Sequence, residues 1–385
     1  MTFIRTIPIV QITPLIHFQW TQENPCLRAT ELKPKIQTFI TEDLKRVDNS
    51  LYNNKEYVEA IKKFLPDKDG QPRPSPYRLD VIPNSDPKWY LPVAGKYDAA
   101  DGNTISKFFG TGPITGIPNS AYFANAEPLK RDGNKDALRL AVFYDEPLTI
   151  RLSSFDPKVL DLVEKAIPYV LAYHNFGTRQ SKGFGSFLPE GMSSSELEKH
   201  LAENPSFIKI GKQNISDAKP EKILEKINTE YKALKNKVGF ANGKSTNSSK
   251  LKDYFASKNI EWEKNFVSKE LAQEKGGAPG PRVHYVRALF GLAELYDYPK
   301  LSYPINKAKI TIESVPKDKI ERFASPLLLK PAKDQLFLIA RPIPKVMLGA
   351  SFLFTGKRKS QNLQTPAHFN WDEFFKLLNT WTHVK

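Results

Sequence analysis

The chain has 385 residues, a single cysteine and a formal net charge of +15. This length is sufficient for two domains with their own cores, and the excess of positive charge favours a polyanionic partner. The lone Cys26 excludes a disulfide framework and fits a reducing cytoplasm. The apolar run at residues 1–20 is too short to span a bilayer and is interrupted by polar residues and prolines. We therefore predict a cytoplasmic protein without a membrane partner.

The N-terminal region predicts a strand followed by a helix. Residues 4–18 alternate and are rich in β-branched side chains, which is typical of a strand, with a break at Pro14. Thr30 is a candidate N-cap for the helix that follows. The apolar residues of this helix, which recur at helical spacing, are Ile36, Phe39, Ile40, Leu44 and Val47. A strand, a basic loop and a helix form the first half of a β-α-β unit.

Residues 65–120 are dense in proline, glycine and aspartate, and we expect an ordered but irregular insertion there. Two strands follow, at residues 138–142 and 148–152. Asp156-Pro157 then predicts a second helix, because Asp is a preferred N-cap and Pro is favoured at the first helical position. We expect the first domain to end near residue 190.

A glycine-rich segment, HNFGTRQSKGFGSF, occupies residues 174–187 after the second helix. Its glycines could leave main-chain amides accessible to a phosphate, and its cations and neutral donors suit contact with a nucleic-acid backbone. The phenylalanines could anchor the loop in the core or stack on a base. The candidate RNA-binding residues of the loop are Gly177, Thr178, Arg179, Gln180, Ser181, Lys182, Gly183, Phe184 and Gly185. The spacing does not fit a P-loop, which argues against nucleotide hydrolysis. The alternative is a hairpin whose glycines only form turns.

The second half of the sequence changes character. Residues 191–280 are Lys-rich with helical periodicity and predict a helical insertion, whose lysines are mostly solvated; residues 245–249, STNSS, predict a flexible tip. Strands are predicted at residues 309–312, 325–330 and 336–340. The closing helix has four apolar residues at amphipathic spacing: Trp371, Phe374, Phe375 and Leu378.

Several short segments resemble the RAMP superfamily, the RNA-binding subunits of CRISPR effector complexes. In the N-terminal half they are FGTRQSKGFGS, the pair TPLIHFQ and LRATELKPK, and the segment that carries Phe109 and Gly110. In the C-terminal half, Phe290-Gly291-Leu292 and ERFASPLLLK at residues 321–330 are similar to one family, subunit one of the type III-B (Cmr) complexes. These segments cover well under half of the chain.

The resemblance implies an α+β protein with two ferredoxin-like (RRM-like) domains and a helical insertion, divided into residues 1–190, 191–280 and 281–385. It places cations beside RNA at Arg28, Lys33 and Lys35, where Pro34 replaces the glycine usual in the family. Further basic candidates in the C-terminal half are Arg282, Arg287 and Arg322. The implied partners are crRNA, target RNA and other RAMP subunits, and no cofactor is expected.

Two functions compete at this point. The first is a non-catalytic subunit that holds the 3′ region of the crRNA and its paired target RNA in a type III-B complex for antiviral defence. The second is an endoribonuclease of the same superfamily, which would need a general base such as His174 or His17. The mid-chain position of the glycine-rich loop is unlike that in the crRNA-processing nucleases and favours binding. A metal site is not predicted, because no His, Cys, Asp and Glu cluster has ligand spacing.

Overall fold

A computed structural model of the protein describes residues 1–16, 26–71, 73–92, 114–117, 141–235, 238–241, 244–272, 277–292, 295–298, 308–316, 320 and 325–385. The chain divides into two compact units. Unit 1 comprises Met1–Pro205, Lys212–Thr229 and Leu329–Phe337, and unit 2 comprises Ser206–Gly211, Glu230–Leu328 and Leu338–Lys385. Within the described residues, no helix is long and apolar enough to cross a membrane.

Strands and helices are interspersed along the described part of the chain. The strands are β1 (Phe3–Gln11), β2 (Leu15–Ile16), β3 (Arg78–Ile82), β4 (Lys88–Pro92), β5 (Ile114–Ile117), β6 (Ala141–Phe143), β7 (Leu148–Ser154), β8 (Phe187–Pro189), β9 (Lys209–Asn214), β10 (Val238–Ala241), β11 (Lys244–Asn247), β12 (Glu261–Trp262), β13 (Val283–His284), β14 (Leu295–Tyr298), β15 (Ala308–Val315), β16 (Leu327–Pro331), β17 (Gln335–Ala340), β18 (Ser351–Thr355), β19 (Ser360–Gln364) and β20 (Thr382–His383). The α-helices are α1 (Ala29–Thr38), α2 (Leu44–Val47), α3 (Lys55–Lys62), α4 (Pro157–Tyr173), α5 (Ser194–Glu203), α6 (Pro220–Lys235), α7 (Lys250–Ser257), α8 (Glu263–Phe266) and α9 (Trp371–Lys376).

The main sheet of unit 1 has the strand order β3-β7-β1-β8, and its neighbouring strands are antiparallel. In its register, Ile7 faces Ile150 and Gln11 faces Phe187. The predicted first strand is confirmed, including its break, since β1 ends at Gln11 and β2 resumes at Leu15. One consequence is that the end of β1 and the start of β8, which closes the glycine-rich segment, are neighbours.

Two helices of unit 1, α1 and α4, test the sequence signals directly. The α4 prediction is confirmed: the Asp156 side chain accepts a hydrogen bond from the Lys158 amide, and Pro157 occupies the first turn. Apolar side chains of α4 are buried along its length and pack on β1 and β7. The Thr30 cap prediction is wrong, because α1 begins at Ala29 with Arg28 in the N-cap position. A π-helical turn, Phe39–Asp43, links α1 to α2.

The Lys-rich region contains α5 to α8, of which α6 lies at the predicted helical periodicity, together with strands that the periodicity did not predict. The predicted flexible tip at residues 245–249 is instead regular over most of its length. The backbone of Lys244–Asn247 pairs with Val238–Ala241, and the Ser249 hydroxyl caps α7 by accepting from the Lys252 amide. Serine therefore signals a helix start here.

Unit 2 is built largely from antiparallel strands and an aromatic core. The sheet β14-β15-β18-β19 keeps its strands in chain order.

Two further four-stranded sheets of the chain have the orders β2-β6-β4-β5 and β16-β17-β9-β20. The predicted strands at 309–312, 325–330 and 336–340 correspond to β15, β16 and β17. The closing helix α9 is confirmed with Asn370 as its N-cap, although it ends before Leu378. Together these elements confirm the α+β class.

Candidate RNA-binding site

The glycine-rich segment begins where α4 ends. His174 leaves the helix with an extended backbone, and the chain then turns sharply through residues with positive φ. These residues are Gly177 (+72°), Arg179 (+60°), Gly183 (+76°) and Gly185 (+66°). Such angles are freely available only to glycine, so the three glycines allow the loop to fold back against β1 and β2.

The main-chain amides of this loop donate largely to the protein itself. The hydrogen bonds run from Phe176 to the Gly185 carbonyl (2.9 Å), Gly177 to Glu31 Oε2 (3.0 Å), Thr178 to the Ile16 carbonyl (2.9 Å), Lys182 to the Arg179 carbonyl (2.9 Å), Gly183 to the Gln180 carbonyl (3.1 Å), Gly185 to the Pro14 carbonyl (2.9 Å) and Ser186 to Thr13 Oγ1 (3.0 Å). An amide that already donates has no second proton to give to a phosphate. The predicted amide cradle is therefore wrong for these positions.

The glycines are required by close approach of the protein to itself. A Cβ added to Gly185 would lie 2.1 Å from the Phe176 carbonyl oxygen, and one added to Gly177 would lie 2.6 Å from the Ile16 carbonyl oxygen. At Gly183 the nearest atom is Cδ1 of Ile227, at 2.6 Å. The neighbours that demand glycine are thus core atoms of unit 1. The structure thus gives these three glycines a role in folding, while their contact with RNA stays a prediction.

The phenylalanines of the loop are buried. Phe176, Phe184 and Phe187 each expose 0% of their surface, and the rings of Phe176 and Phe187 meet edge to face. The ring of Phe184 therefore has no exposed face for a base in this structure, and its contact with RNA stays a prediction. The structure fits the alternative interpretation, in which these three rings anchor the loop in the core.

The remaining candidates of the loop form a half-buried polar arc, residues 178–182, which we call the basic arc. It carries two cations, Arg179 and Lys182, and a short 3₁₀ turn at Gln180–Lys182 fixes its course. The Gln180 side chain is used internally, because Nε2 donates to the Gly177 carbonyl at 2.9 Å. Positive charge therefore comes from side chains on a backbone that the protein itself holds in shape.

Glu31, which the sequence did not single out, links the loop to the start of α1. Its Oε1 pairs with Arg28 at 3.0 Å, while its Oε2 accepts from the Gly177 amide at 3.0 Å. Arg28 and the glycine-rich segment, predicted separately as RNA contacts, thus lie at one place in unit 1. An acidic residue three positions after Arg28, in the first turn of a helix, was the available signal.

The other two predicted cations of α1, Lys33 and Lys35, lie in different surroundings from Arg28. Lys33 donates to the Tyr77 carbonyl at 3.2 Å and lies 5.3 Å from the Tyr77 ring centre. Lys35 and His174 line one open pocket of about 300 Å³, whose other lining residues include Asp43 and Tyr173. Burial raises the pKa of the Tyr173 hydroxyl to about 12, so this phenol stays protonated at neutral pH.

Two of the arginines predicted in unit 2, Arg282 and Arg287, are in contrasting environments. Arg282 is exposed and pairs with Glu261 at 2.9 Å. Arg287 pairs with the fully buried Glu263 and stacks 3.9 Å from the Tyr296 ring centre. Burial raises the pKa of the Glu263 carboxyl, and the Arg287 charge opposes that rise. The Arg287 guanidinium compensates a buried carboxylate, and its contact with RNA stays a prediction.

Two predicted residues, His17 and Arg322, lie outside the described residues, as do Phe109 and Gly110. Within the part of the chain that the structure describes, no group of three or more His, Cys, Asp or Glu side chains is placed to hold a metal ion.

Family models match nearly the whole chain. The Cmr1 N-terminal domain matches residues 3–238 and the Cmr1 C-terminal domain matches residues 246–383. These matches define the class of protein, a RAMP subunit of type III-B CRISPR effector complexes, and confirm the resemblance found in the sequence. The chain belongs to the Cmr1 family.

The chain is also similar to two solved structures at low identity. The crystal structure of Cmr1 from Pyrococcus furiosus in its apo form is 11% identical with a TM-score of 0.41, and the match covers 99% of this chain and 98% of that chain. One chain of a cryo-EM structure of the type III-B Cmr-beta complex bound to cognate target RNA is 14% identical with a TM-score of 0.27, over 50% of this chain and 60% of that chain. A comparison with curated proteins gives no match.

Proposed function

We propose that the chain is a non-catalytic RNA-binding subunit of a type III-B effector complex, and that it holds the 3′ region of the crRNA and its paired target RNA. Membership of the Cmr1 family supports the assignment to the effector complex. The observation that carries RNA binding is the Arg28–Glu31–Gly177 link, which joins two separately predicted basic segments. The other partners in this proposal are further RAMP subunits of the same complex.

The order of elements in unit 1 supports a ferredoxin-like first domain within residues 1–190. In the sheet, the fourth strand, β8, pairs with the first, β1, while the third, β7, lies between β1 and β3. With α1 after β1 and α4 after β7, this is the β-α-β-β-α-β arrangement of that fold. The insertion at 191–280 and a second ferredoxin-like half at 281–385 complete the proposed division. The chain-order sheet β14-β15-β18-β19 does not itself have that strand arrangement.

Contact with the RNA backbone, rather than base reading, fits the chemistry of the site. The half-buried basic arc offers Arg179 and Lys182 as cations and Ser181 as a neutral donor, while the loop phenylalanines are buried. Contacts to phosphates position a nucleic acid without reading its sequence. Binding should therefore be sensitive to salt and indifferent to sequence.

One arrangement favours the alternative function, an endoribonuclease. It is the pocket that both His174 and Lys35 line. Metal-independent RNA cleavage needs a base near the 2′-hydroxyl and a cation or acid at the leaving oxygen. The phenol of Tyr173 in the same pocket, with its pKa raised to about 12, is protonated at neutral pH and would be an acid rather than a base. We favour binding, and the two functions give opposite outcomes in one experiment.

The experiment has two steps, both on the full chain. First, a tagged chain purified under native conditions should bring down a guide RNA and other effector subunits. Second, the isolated protein should leave labelled precursor and target RNA intact, with or without divalent metal. Recovery without RNA or partners would contradict the proposal. RNA fragments with 2′,3′-cyclic phosphate ends, lost in His174→Ala, would instead identify a nuclease, whose general base normally contributes about 10²–10⁴-fold to the rate.

A further inference from the structure

Lys330, in β16, is a lysine whose side chain is completely buried. Its Nζ donates to three main-chain carbonyl oxygens of unit 1: Leu171 at 2.6 Å, His174 at 2.9 Å and Phe187 at 3.3 Å. A buried ammonium is costly unless its protons are all bonded. The three carbonyls provide one acceptor for each proton of a Lys330 ammonium group.

The three carbonyls indicate which form of Lys330 occupies the site. Burial lowers the pKa of the Lys330 amine well below its ordinary value. The carbonyls oppose this effect, because only the ammonium form has three N–H donors and a neutral amine would turn its lone pair towards an oxygen. Leu171 also lies in the last turn of α4, where carbonyls lack helical partners and a positive charge is favoured.

The same ammonium ties together both ends of the glycine-rich segment, since His174 begins it and Phe187 ends it. The residues on either side of Lys330 accept further hydrogen bonds from the glycine-rich segment. The Leu329 carbonyl accepts from Asn175 Nδ2 at 2.9 Å, and the Pro331 carbonyl accepts from Ser186 Oγ at 2.9 Å. The strand segment 329–331 thus holds the base of the loop, and the basic arc projects from between the two held ends.

We infer that Lys330 is a positioning residue for the RNA contact: it fixes both ends of the loop and thereby the direction of Arg179 and Lys182. This inference rests on the proposed function, because it concerns how the same basic arc meets RNA. Lys330 itself, being fully buried, touches no RNA.

A double-mutant cycle separates positioning from a general structural role. Lys330→Met should weaken binding of a single-stranded RNA by about 10-fold to 100-fold and flatten its salt dependence, because two charge-assisted contacts are misplaced. In an Arg179→Gln/Lys182→Gln background, Lys330→Met should cost no further affinity. The matched control is Lys333→Met, which replaces an exposed lysine in the turn after the same strand. This variant should bind RNA with wild-type affinity.

Hydrogen exchange provides the readout for the loop itself. In Lys330→Met the amides of Phe176 and Gly185, which are bonded at the base of the loop, should exchange faster while those of β1 and β7 stay protected. If Lys330→Met does not fold, Asn175→Ala tests the hold of segment 329–331 with a smaller loss. This variant removes the Nδ2 bond to the Leu329 carbonyl and also the one to the Gln180 carbonyl of the arc, at 2.8 Å.

Three outcomes would overturn the inference. They are additive losses of affinity in the cycle, unchanged protection of the loop amides in Lys330→Met, and wild-type affinity in a folded Asn175→Ala protein. A wild-type chain that binds no RNA would instead contradict the proposed function, and the exchange measurement would still test whether Lys330 holds the loop.

Discussion

Two consecutive parts of the glycine-rich segment, residues 178–182 and residues 183–187, differ in how far the protein buries them. Residues 183–187 are buried, with glycines against core atoms and phenylalanines without exposed surface. The basic arc, residues 178–182, is half-buried, polar and cationic. A motif that reads as one continuous ligand loop therefore consists of a folding half and a candidate binding half. Glycines in a basic loop can thus serve the close approach of protein segments to one another, while contact with a ligand is left to side chains.

The folding half can be broken most severely at Gly185. In Gly185→Val the new Cβ would lie 2.1 Å from the Phe176 carbonyl oxygen, a backbone atom that cannot move aside cheaply, and φ is +66°. We expect a loss of more than about 4 kcal/mol in the free energy of unfolding. Chemical denaturation followed by circular dichroism measures it.

The matched control for Gly185 is Gly70. It has a φ of +74° but nothing within 4 Å of an added Cβ, so Gly70→Val should cost only about 1–2 kcal/mol for the backbone angle. A Gly185→Val protein as stable as Gly70→Val would show that the close approach is not real. The folding half of the comparison would then fail.

Unit 2 offers a parallel contrast between two arginines predicted alike. Arg287→Leu would leave the buried Glu263 carboxylate without its partner and should cost about 3–5 kcal/mol of stability. Arg282→Leu removes an exposed pair with Glu261 and should cost about 0–1 kcal/mol. Thermal unfolding of both variants measures the difference, and equal losses would contradict the assignment of Arg287 to the core.

The same pair predicts a pH dependence. Burial raises the pKa of Glu263 in the folded state, so the folded protein binds this proton more readily than the unfolded chain. Stability linked to this group is therefore present at low pH and is lost as pH rises through the folded pKa. Without the opposing charge of Arg287 the rise is larger, so Arg287→Leu should lose less stability near about pH 5 than near about pH 8. Equal losses at both would argue against a buried, titrating Glu263.

The smallest effect is expected at a neutral residue of the basic arc. Ser181→Ala removes one hydroxyl donor from a half-buried position. We expect RNA affinity to fall by about 2-fold to 10-fold, the value of one neutral hydrogen bond, without a change in the salt dependence. A steeper or flatter salt dependence in this variant would mean that the arc had changed shape.

Much of the fold follows from local sequence signals. The Asp156-Pro157 start of α4 and the break in the first strand at Pro14 depend on backbone rules that act within a few residues. The Thr30 cap failed because a threonine inside the first turn of a helix carries the same signal as one just before it.

The candidate site was less predictable, because its decisive contacts are long-range. Glu31 and Lys330 are joined to the loop by hydrogen bonds to residues far away in the chain, and no periodicity reveals such partners. The sequence could say that Gly185 was needed, but not that a carbonyl of the protein, rather than a phosphate, demanded it.

Phosphate contact by the basic arc is tested by the salt dependence of RNA binding, compared between wild type and Arg179→Gln/Lys182→Gln. Each single-stranded phosphate contact contributes about 0.7 to the slope of log K against log salt, so the double variant should lose about 1.4, equally for two RNAs of unrelated sequence. Lys68→Gln/Lys333→Gln, which neutralises two exposed lysines outside the loop, should keep the wild-type slope. An unchanged slope in the arc variant, or a loss confined to one RNA sequence, would contradict the account.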